Sequence, residues 1–467
     1  MHKNPQLRLT RRSFVAGAAG LAAVGGVSRS LAQDTRTFDF RTRLTSYVFE
    51  DRPPTPNLVS LADHAPPPVL RLRKGQKSAI NLTNGLDDYT TIHWHGLRIA
   101  NQMDGVPYLT QMPVAKDETF TYAFTPPDAG TFWYHPHCMT MQQIAHGMTG
   151  MLIVEEDMDP GFDADVPVNM KDFRLNDDGT FLPYFTARGA ARGGTYGNVR
   201  TVNWDVAPTY DVPSGGLVRL RLLNTDLTRV YKLFLPPVPG RVIAWNGNPV
   251  LEPIAMPTQD APLWIAPGER ADIALRVPES EGTPVAVQSV IAGQLTDIVT
   301  LRSVGASVKR DLAELAPLPK PELKEPDLAN AERKDILFGW SPDGDGTKNG
   351  LCGDFGYTFW SIDRKPWPGD AVEGTGPVAH LRLGQSYVLR LYNESPNLHP
   401  IHLHGLVFKP IRSNMRTLPA NWTDTILLLK DEVIDLGLVA DNPGDWAFHC
   451  HVIEHQKSGL AGYIRVS

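Results

Sequence analysis

The 467-residue chain contains only three cysteines, which excludes a fold held together by a network of disulfides. Its formal net charge is −6 and it has no long basic run, so nucleic acid is not expected as a partner. Beyond the N-terminal region, no stretch reaches the roughly 18 apolar residues that a membrane span requires. Glycine and proline are plentiful instead, with 40 of each, which favours many short strands joined by turns.

The N-terminus reads TRRSFVAGAAGLAAVGGVSRSLAQ over residues 10–33. Arg11 and Arg12 precede a short apolar run that is rich in glycine and alanine, and Ser30-Leu31-Ala32 is typical of a cleavage site. A membrane anchor is the alternative, but the run is short for one. We expect residues 1–32 to be a twin-arginine signal peptide and the mature protein to be periplasmic, without a stable membrane span.

The rest of the chain contains a repeated pattern. A strand-like run, a glycine turn and an alternating strand that ends near Asn occur at 69–84, 214–226 and 378–395. Two further segments, 116–137 and 430–451, share an alternating strand, a Pro/Asp/Gly turn and an aromatic strand that ends in His-x-His. The middle repeat has APGERADIALRVP at the equivalent place, without histidine.

Alternating apolar residues with frequent turns indicate an all-β protein of β-sandwich domains. We predict three, at about 33–158, 159–312 and 330–467. The segment 313–329 is rich in proline and charge and is predicted to be the linker before the third domain.

Ten of the fourteen histidines occur in four short clusters. The clusters are HWHG with His93 and His95, HPH with His135 and His137, HPIHLHG with His399, His402 and His404, and HCHVIEH with His449, His451 and His455. A single histidine on a strand is more often structural than a ligand, but four clusters confined to the first and third repeats indicate metal binding. Imidazole suits copper, zinc, iron and nickel.

The spacing around Cys450 narrows the choice of metal. Because residues i and i+2 of a strand share a face, His449 and His451 point one way and Cys450 the other. One thiolate with two imidazoles is the ligand set of a blue-copper centre. Cys450, His455 and a histidine of the HPIHLHG cluster are therefore predicted to hold one copper, while the neighbours of Cys450 reach a different metal cluster.

These four clusters, in this order and spacing, resemble the copper signatures of the three-domain bacterial multicopper oxidases, the laccase family, over essentially the whole mature chain. The resemblance implies cupredoxin-like Greek-key domains and four copper ions, one of type 1, one of type 2 and two of type 3. It implies type 1 ligands His399, Cys450 and His455, type 2 ligands His93 and His402, and type 3 ligands His95, His135 and His451 for one copper and His137, His404 and His449 for the other.

The resemblance also implies an activity. A small-molecule donor gives single electrons to the type 1 copper, they pass along Cys450 to its flanking histidines, and O₂ is reduced to two waters. Asp104, in the segment NQMDGVPYLTQMP, stands at the place of the family's proton donor, although an Asp-Gly turn is the alternative explanation for it. Gln456 stands where many members carry an acid, so proton supply is expected to depend more on Asp104. Leu460 stands where many members carry an axial methionine, so we expect a raised type 1 potential.

The preferred prediction is a laccase-like oxidase of phenols or aromatic amines. A cuprous oxidase that protects against copper is the alternative, with Cys138, Met139, Met141 and Met148 as a conceivable soft-ligand group. A long methionine-rich insertion would favour that role, and Met415 is the only methionine of the third domain. A copper-free structural relative is a further alternative, but it would have lost ligands. Sequence leaves open whether Cys138 and Cys352 are bonded.

Overall fold

The computed structural model describes residues 35–63, 65–342, 351–353, 355–369 and 376–467, so the predicted signal peptide lies outside the described residues. Within these ranges the fold is built almost entirely of strands. Helices in the described part are short: α1 is Thr140–Ala145, α2 is Ala187–Ala190 and α3 is Ile453–Lys457, with 3₁₀ turns at Asn101–Met103 and Leu312–Glu314. None of the described helices is long and apolar enough to cross a membrane.

The strands fall into three consecutive groups. The first group is β1 Arg36–Arg41, β2 Arg43–Tyr47, β3 Thr55–Ser60, β4 Leu70–Arg73, β5 Ser78–Thr83, β6 Ile92–His95, β7 Thr119–Phe124, β8 Gly130–Pro136 and β9 Gly150–Glu155. The second group is β10 Ala164–Phe173, β11 Val199–Val202, β12 Thr209–Pro213, β13 Leu217–Asn224, β14 Tyr231–Phe234, β15 Gly240–Trp245, β16 Asn248–Pro249, β17 Leu263–Ile265, β18 Arg270–Arg276, β19 Pro284–Ile291 and β20 Gln294–Val304. The third group is β21 Glu332–Trp340, β22 Trp360–Ile362, β23 Ala379–Leu381, β24 Ser386–Asn393, β25 His399–Leu403, β26 Lys409–Ser413, β27 Thr425–Leu428, β28 Val433–Val439, β29 Gly444–Cys450 and β30 Ala461–Val466.

The second and third groups form two sheets each, and the first forms two main sheets and a separate two-stranded sheet of β2 and β3. The main sheets of the three groups share a pattern of connectivity. The repeated alternating strand lies between a parallel first strand and an antiparallel later one, in the triples β1-β5-β7, β10-β13-β18 and β21-β24-β28. A second parallel pair recurs in the facing sheet, as β4 with β9, β12 with β20 and β23 with β30. The prediction of an all-β fold of three cupredoxin-like sandwiches is therefore confirmed, and the repeated sequence pattern corresponds to repeated strand pairing.

Each sandwich has its own apolar core between its sheets. Trp94, Tyr122 and Leu152 lie in the first core, Leu220, Ile273 and Val299 in the second, and Trp446, Leu403 and Cys450 in the third. Burial of these side chains is the main force that holds each sandwich together. A smaller apolar cluster with Met141, Leu227 and Ile453 joins elements of all three groups.

Candidate metal centre

Strand pairing brings the histidine motifs together two by two. In the first domain β6 pairs with β8, so His93 lies opposite His135. In the third domain β25 pairs with β29, so His402 lies opposite His449 and Cys450 lies opposite Ile401. The side chains between the histidines, such as Trp94, point into the apolar cores, as strand alternation requires.

Eight histidines from the two domains meet in one buried group, which we call the eight-histidine cluster. Its members are His93, His95, His135, His137, His402, His404, His449 and His451, each at most 4% exposed. The first and third domains interleave here, because His93 stacks on His404 with ring centroids 3.7 Å apart and His95 stacks on His402 at 3.6 Å. Two strands of each domain thus form the walls of one cluster.

Hydrogen bonds settle which ring nitrogen is free. In four members of the cluster, Nδ1 forms a hydrogen bond of 2.8–3.0 Å to a main-chain oxygen. These members are His93, His135, His402 and His449. A carbonyl oxygen only accepts, so each Nδ1 carries the proton and Nε2 keeps a lone pair for a metal. In His95 the roles are reversed: its Nε2 contacts Asp424 and Thr425, and its Nδ1 is free.

The free nitrogens fit a metal cluster. Among the described residues, these buried atoms have no hydrogen-bond partner: His93 Nε2, His95 Nδ1, His135 Nε2, His402 Nε2 and both ring nitrogens of His137 and His451. Buried polar atoms normally have partners, so a group of orphans that converge indicates a ligand. Three sets of cluster histidines have ligand atoms within 4.8 Å of one another, namely His93, His402 and His404, then His93, His95 and His135, and finally His137, His404 and His449.

A second donor set lies on the other side of β29. We call His399, Cys450 and His455 the Cys450 triad. Cys450 Sγ is 3.5 Å from His399 Nδ1 and 3.6 Å from His455 Nδ1, and the two nitrogens are 3.1 Å apart. Bonds from a metal ion are about 2.0 Å long to an imidazole nitrogen and about 2.3 Å long to a thiolate sulfur, so one ion could lie among these three atoms. The triad therefore fits one metal ion that would be held by two imidazoles and a thiolate.

Similarity to known proteins shows to which family a chain with these two donor sets belongs. Residues 46–159 and 350–467 each match a sequence profile described as multicopper oxidase. A multicopper oxidase structure from Pseudomonas thermotolerans is 36% identical, with a TM-score of 0.84, and the match covers 93% of this chain and 100% of that one. The chain belongs to the multicopper oxidase family.

Two further proteins agree with this membership. A multicopper oxidase structure from Pseudomonas parafulva is 35% identical with a TM-score of 0.80, over 92% of this chain and 100% of that one. Multicopper oxidase MmcO from Mycobacterium tuberculosis is 27% identical over 480 residues, which cover 95% of this chain and 90% of the relative. An oxidoreductase that contains copper and uses O₂ as electron acceptor follows from the family.

The second domain of this multicopper oxidase contributes a wall of the cluster that the sequence did not predict. Its APGERAD segment places Gly268 so close that a Cβ atom there would lie 3.0 Å from the His451 ring and 3.1 Å from His95. Arg270 forms two hydrogen bonds to Asp424, at 2.9 and 2.7 Å, and Asp424 in turn contacts His95. The repeat that lacks histidine thus packs against the histidines of the other two.

Electrostatics at this wall favour an ionised Asp424. Burial alone would raise its pKa, but the Arg270 guanidinium and a hydrogen bond with His402 outweigh it and hold the pKa well below its ordinary value. The sequence contains Asp424 in the segment NWTDT and Arg270 in the segment GERAD. A single charged residue on a strand is too common to indicate a functional role, so sequence reasoning missed both.

Asp104 lies at the edge of the cluster, 1% exposed. Its Oδ2 atom is 2.8 Å from His404 Nδ1, and its main-chain oxygen accepts a hydrogen bond from His93 Nδ1 at 2.8 Å. The Asp-Gly turn is also present, because Gly105 has φ of +82° and lies against the main chain of Ile92. Both interpretations of the sequence motif are compatible with these contacts.

Burial keeps the histidines in the neutral form that a metal needs. Desolvation, followed by repulsion from neighbouring histidines, lowers the pKa of His449 to about 3, and desolvation lowers that of His455 to about 4. Desolvation raises the pKa of the Cys450 thiol far above its ordinary value. A metal ion is therefore needed to stabilise the thiolate at neutral pH.

The two positions that depart from the family pattern lie beside the triad. Leu460 is fully buried in the same core as Cys450, and its main-chain oxygen accepts a hydrogen bond from the Cys450 amide at 3.1 Å. Gln456 belongs to α3 and is 6% exposed. Neither side chain supplies a charged group or a strong donor to a metal.

Cys138 and Cys352 form a disulfide that joins the end of the HPH motif to the third domain, with their Cα atoms 4.5 Å apart. Met139 and Met141 lie beside it and line a small cavity of about 80 Å³ together with Phe355. Met141 packs with Ile144, Leu227 and Ile453, which is the packing role that methionine most often has.

Proposed function

We propose that this multicopper oxidase is laccase-like and removes single electrons from phenols or aromatic amines while it reduces O₂ to water. The observation that carries the proposal is the position of Cys450, whose thiol belongs to the triad while its neighbours His449 and His451 belong to the eight-histidine cluster. Two covalently adjacent donor sets provide a short connection between a site that accepts electrons and a site that binds O₂.

Within this proposal the triad holds the type 1 copper. His93 and His402 would hold the type 2 copper, and the type 3 coppers would be held by His95, His135 and His451 and by His137, His404 and His449, all of which are buried. Four coppers would supply the four-electron capacity that O₂ reduction requires. Protein groups set the histidine tautomers, exclude bulk water by burial, and offer Asp104 as a buried acid for proton supply.

The apolar core around Cys450 favours a high type 1 potential, which the oxidation of difficult donors requires. Leu460 replaces a thioether, and the potential of a blue-copper site depends on the axial ligand and on the hydrophobicity around the sulfur. The ten histidines of the four motifs and Cys450 are all present and buried, which disfavours a copper-free structural role. We also propose export to the periplasm by the twin-arginine route, on the basis of Arg11 and Arg12 and the apolar run that follows them.

A cuprous oxidase is the second candidate. It is favoured by the enclosure of the triad and by the two methionines beside the Cys138–Cys352 disulfide. Lys457 also lines that cavity, and its positive charge disfavours a copper ion there.

O₂ uptake by the fully copper-loaded, processed protein distinguishes the two candidates. We expect fast uptake with 2,6-dimethoxyphenol and no need for added Cu(II). Efficient uptake with Cu(I), combined with a phenol reaction that depends on added copper, would contradict the laccase-like proposal and favour the cuprous oxidase. Replacement of Met139 and Met141 by leucine is the matched control, since it should lower only a Cu(I) reaction.

A further inference from the structure

The histidines of the Cys450 triad are closed to solvent. His399 and His455 are both 0% exposed. His399 Nε2 lies 2.7 Å from Ser395 Oγ, and His455 Nε2 donates a hydrogen bond to the main-chain oxygen of Arg192. No ring atom of either histidine is therefore available to a donor molecule, so electrons must reach the triad through other protein groups.

Part of this enclosure is a segment of the second domain, residues 186–195, which we call the covering segment. The Glu454 carboxylate holds it, since it accepts hydrogen bonds from the Thr186 amide at 3.2 Å, from Thr195 Oγ1 at 2.8 Å and from the Thr195 amide. Glu454 is itself fully buried on α3, next to His455. A buried carboxylate with three donors is a stable anchor, so the enclosure belongs to the folded state.

Trp360 is in contact with both triad histidines. Its ring centroid is 4.9 Å from that of His399 and 4.8 Å from that of His455. Its indole Nε1 donates to Ala190 of the covering segment at 2.7 Å. Gly459 allows this close fit, because a Cβ atom there would lie 2.1 Å from the Trp360 oxygen. Trp360 is therefore held in one orientation against the copper ligands.

A second indole continues from Trp360 to the surface. Trp340 on β21 is the cross-strand partner of Trp360 on β22, and the two rings are stacked with centroids 4.2 Å apart and an angle of 16°. Trp360 is 0% exposed, whereas Trp340 is 39% exposed. Two parallel aromatic rings thus extend from the triad histidines to solvent.

We propose that Trp340 is the docking site for the aromatic electron donor and that the Trp340–Trp360 stack carries the electron to the triad. This inference rests on the proposed oxidation of phenols or aromatic amines. A phenol stacked on Trp340 loses one electron from its ring and its hydroxyl proton to solvent, which leaves a phenoxyl radical. The electron passes to the triad, and four such electrons with four protons convert one O₂ to two waters.

The arrangement specifies a class of donor. A flat, electron-rich ring gains stacking energy on an exposed indole, and a protonated amine gains a cation–π contact as well. Because the donor stays on the surface and does not enter a closed pocket, its size matters little. Bulky phenols and small ones should therefore be oxidised at similar rates if their potentials match.

Anaerobic stopped-flow reduction of the blue absorption tests the electron route. We compare copper-loaded wild type with Trp340→Leu and Trp340→Phe, with 2,6-dimethoxyphenol as donor. Trp340→Leu should slow the bleaching by about tenfold, the loss expected for one aromatic contact, and Trp340→Phe should keep most of the rate. Trp264→Leu is the matched control, since Trp264 is a partly exposed indole on β17 of the second domain that packs on Lys232.

Two measurements separate docking from indirect effects on the copper. A redox titration of each variant should give an unchanged type 1 potential. In protein labelled with 5-fluorotryptophan and fully reduced under anaerobic conditions, the ¹⁹F resonance missing from Trp340→Phe should shift on addition of the phenol, while that of Trp264 should not. The reduced state accepts no electrons, so this readout is independent of activity.

The outcomes are distinguishable. If phenols reduce wild type and Trp340→Leu at equal rates, or if the Trp340 resonance does not respond, the docking site is wrong and the proposed function stands. If Arg192→Ala slows the reaction while Trp340→Leu does not, electrons enter at the covering segment and the inference is overturned. If no phenol reduces the wild type, the proposed function fails and the inference fails with it.

Discussion

At the scale of single residues, main-chain oxygens fix the tautomer of half of the histidines in the eight-histidine cluster, which leaves a ring nitrogen free for a metal ion. His93, His135, His402 and His449 each have a carbonyl partner for Nδ1, so main-chain oxygens contribute to their orientation. Carboxylates contact two other members of the cluster, since Asp104 contacts His404 and Asp424 contacts His95. A single substitution at Asp104 therefore tests a side-chain role without moving the strands.

Asp104→Asn should leave copper bound and slow the reduction of O₂ by about 10- to 100-fold, the usual effect of removing a partner of a metal ligand. The amide retains the shape and one acceptor but cannot release a proton. Steady-state turnover as a function of pH, with copper content measured in parallel, checks this. Turnover equal to wild type across acidic pH would place proton supply elsewhere.

Leu460→Met should lower the type 1 potential, because a thioether beside the copper stabilises Cu(II) relative to the present alkyl group. The two side chains are similar in volume, so the fold should tolerate the change. Redox titration measures the effect, with Leu460→Ile as a control that changes shape without adding sulfur. A rise of potential in the methionine variant would contradict the axial position assigned to Leu460.

At the scale of elements, the turn before β18 matters to the cluster although it carries no histidine. Gly268 has φ of +88° and lies against the His451 and His95 rings. Arg270, at the start of β18, reaches Asp424 beside β27 of the third domain. A loss of either contact removes support from the histidines of the eight-histidine cluster.

Gly268→Ala should displace the His451 ring and lower copper content and activity together. Gly282→Ala is a matched control, since Gly282 has φ of +80° but nothing lies within 4 Å of the position that a Cβ atom would take there. Both variants bear the same backbone strain, roughly 1 kcal/mol, and only the first adds the clash. Equal copper content and equal thermal stability in the two variants would show that the close approach is unimportant.

At the scale of the whole molecule, the disulfide and the cluster both join the first domain to the third. Replacement of Cys138 and Cys352 by serine should lower the free energy of unfolding by about 2–5 kcal/mol, because a cross-link over 214 residues restricts the unfolded chain. Thermal denaturation of the copper-loaded double variant measures this. An unchanged denaturation temperature would mean that the copper ligands alone hold the two domains.

His146 makes stability sensitive to acid. Desolvation lowers its folded pKa from 6.5 to about 4, and it stacks on Phe181 with centroids 4.2 Å apart. The unfolded chain therefore binds this proton first as the pH falls, so the contribution of His146 is present above pH 6.5 and is lost between 6.5 and 4. The loss is at most about 3 kcal/mol.

Denaturation of copper-loaded wild type and His146→Gln at pH 7.5 and pH 4.5 checks this effect. Stability should fall less on acidification in the variant, because glutamine does not titrate. An identical fall of stability in both proteins would show that other groups cause the loss of stability in acid.

Sequence patterning was enough to predict the strands and their grouping, because alternation and turns are local. Comparison of the 69–84, 214–226 and 378–395 segments predicted three sandwiches, and the strand pairing agrees. Alternation also predicted that Cys450 faces away from its flanking histidines, and in the structure Cys450 lies in the third core while His449 contacts His404.

Contacts between domains were beyond reach of the sequence, since they depend on how three similar sandwiches pack. Gly268, Arg270 and Asp424 are ordinary residues in their own strands and become important only where the second domain meets the cluster. The Trp340–Trp360 stack and the covering segment likewise follow from tertiary packing. The sequence by itself determined the kinds of donor atom, because residue type and strand period are local properties. Only the tertiary structure decided which groups support and enclose them, because distances between remote residues arise from packing.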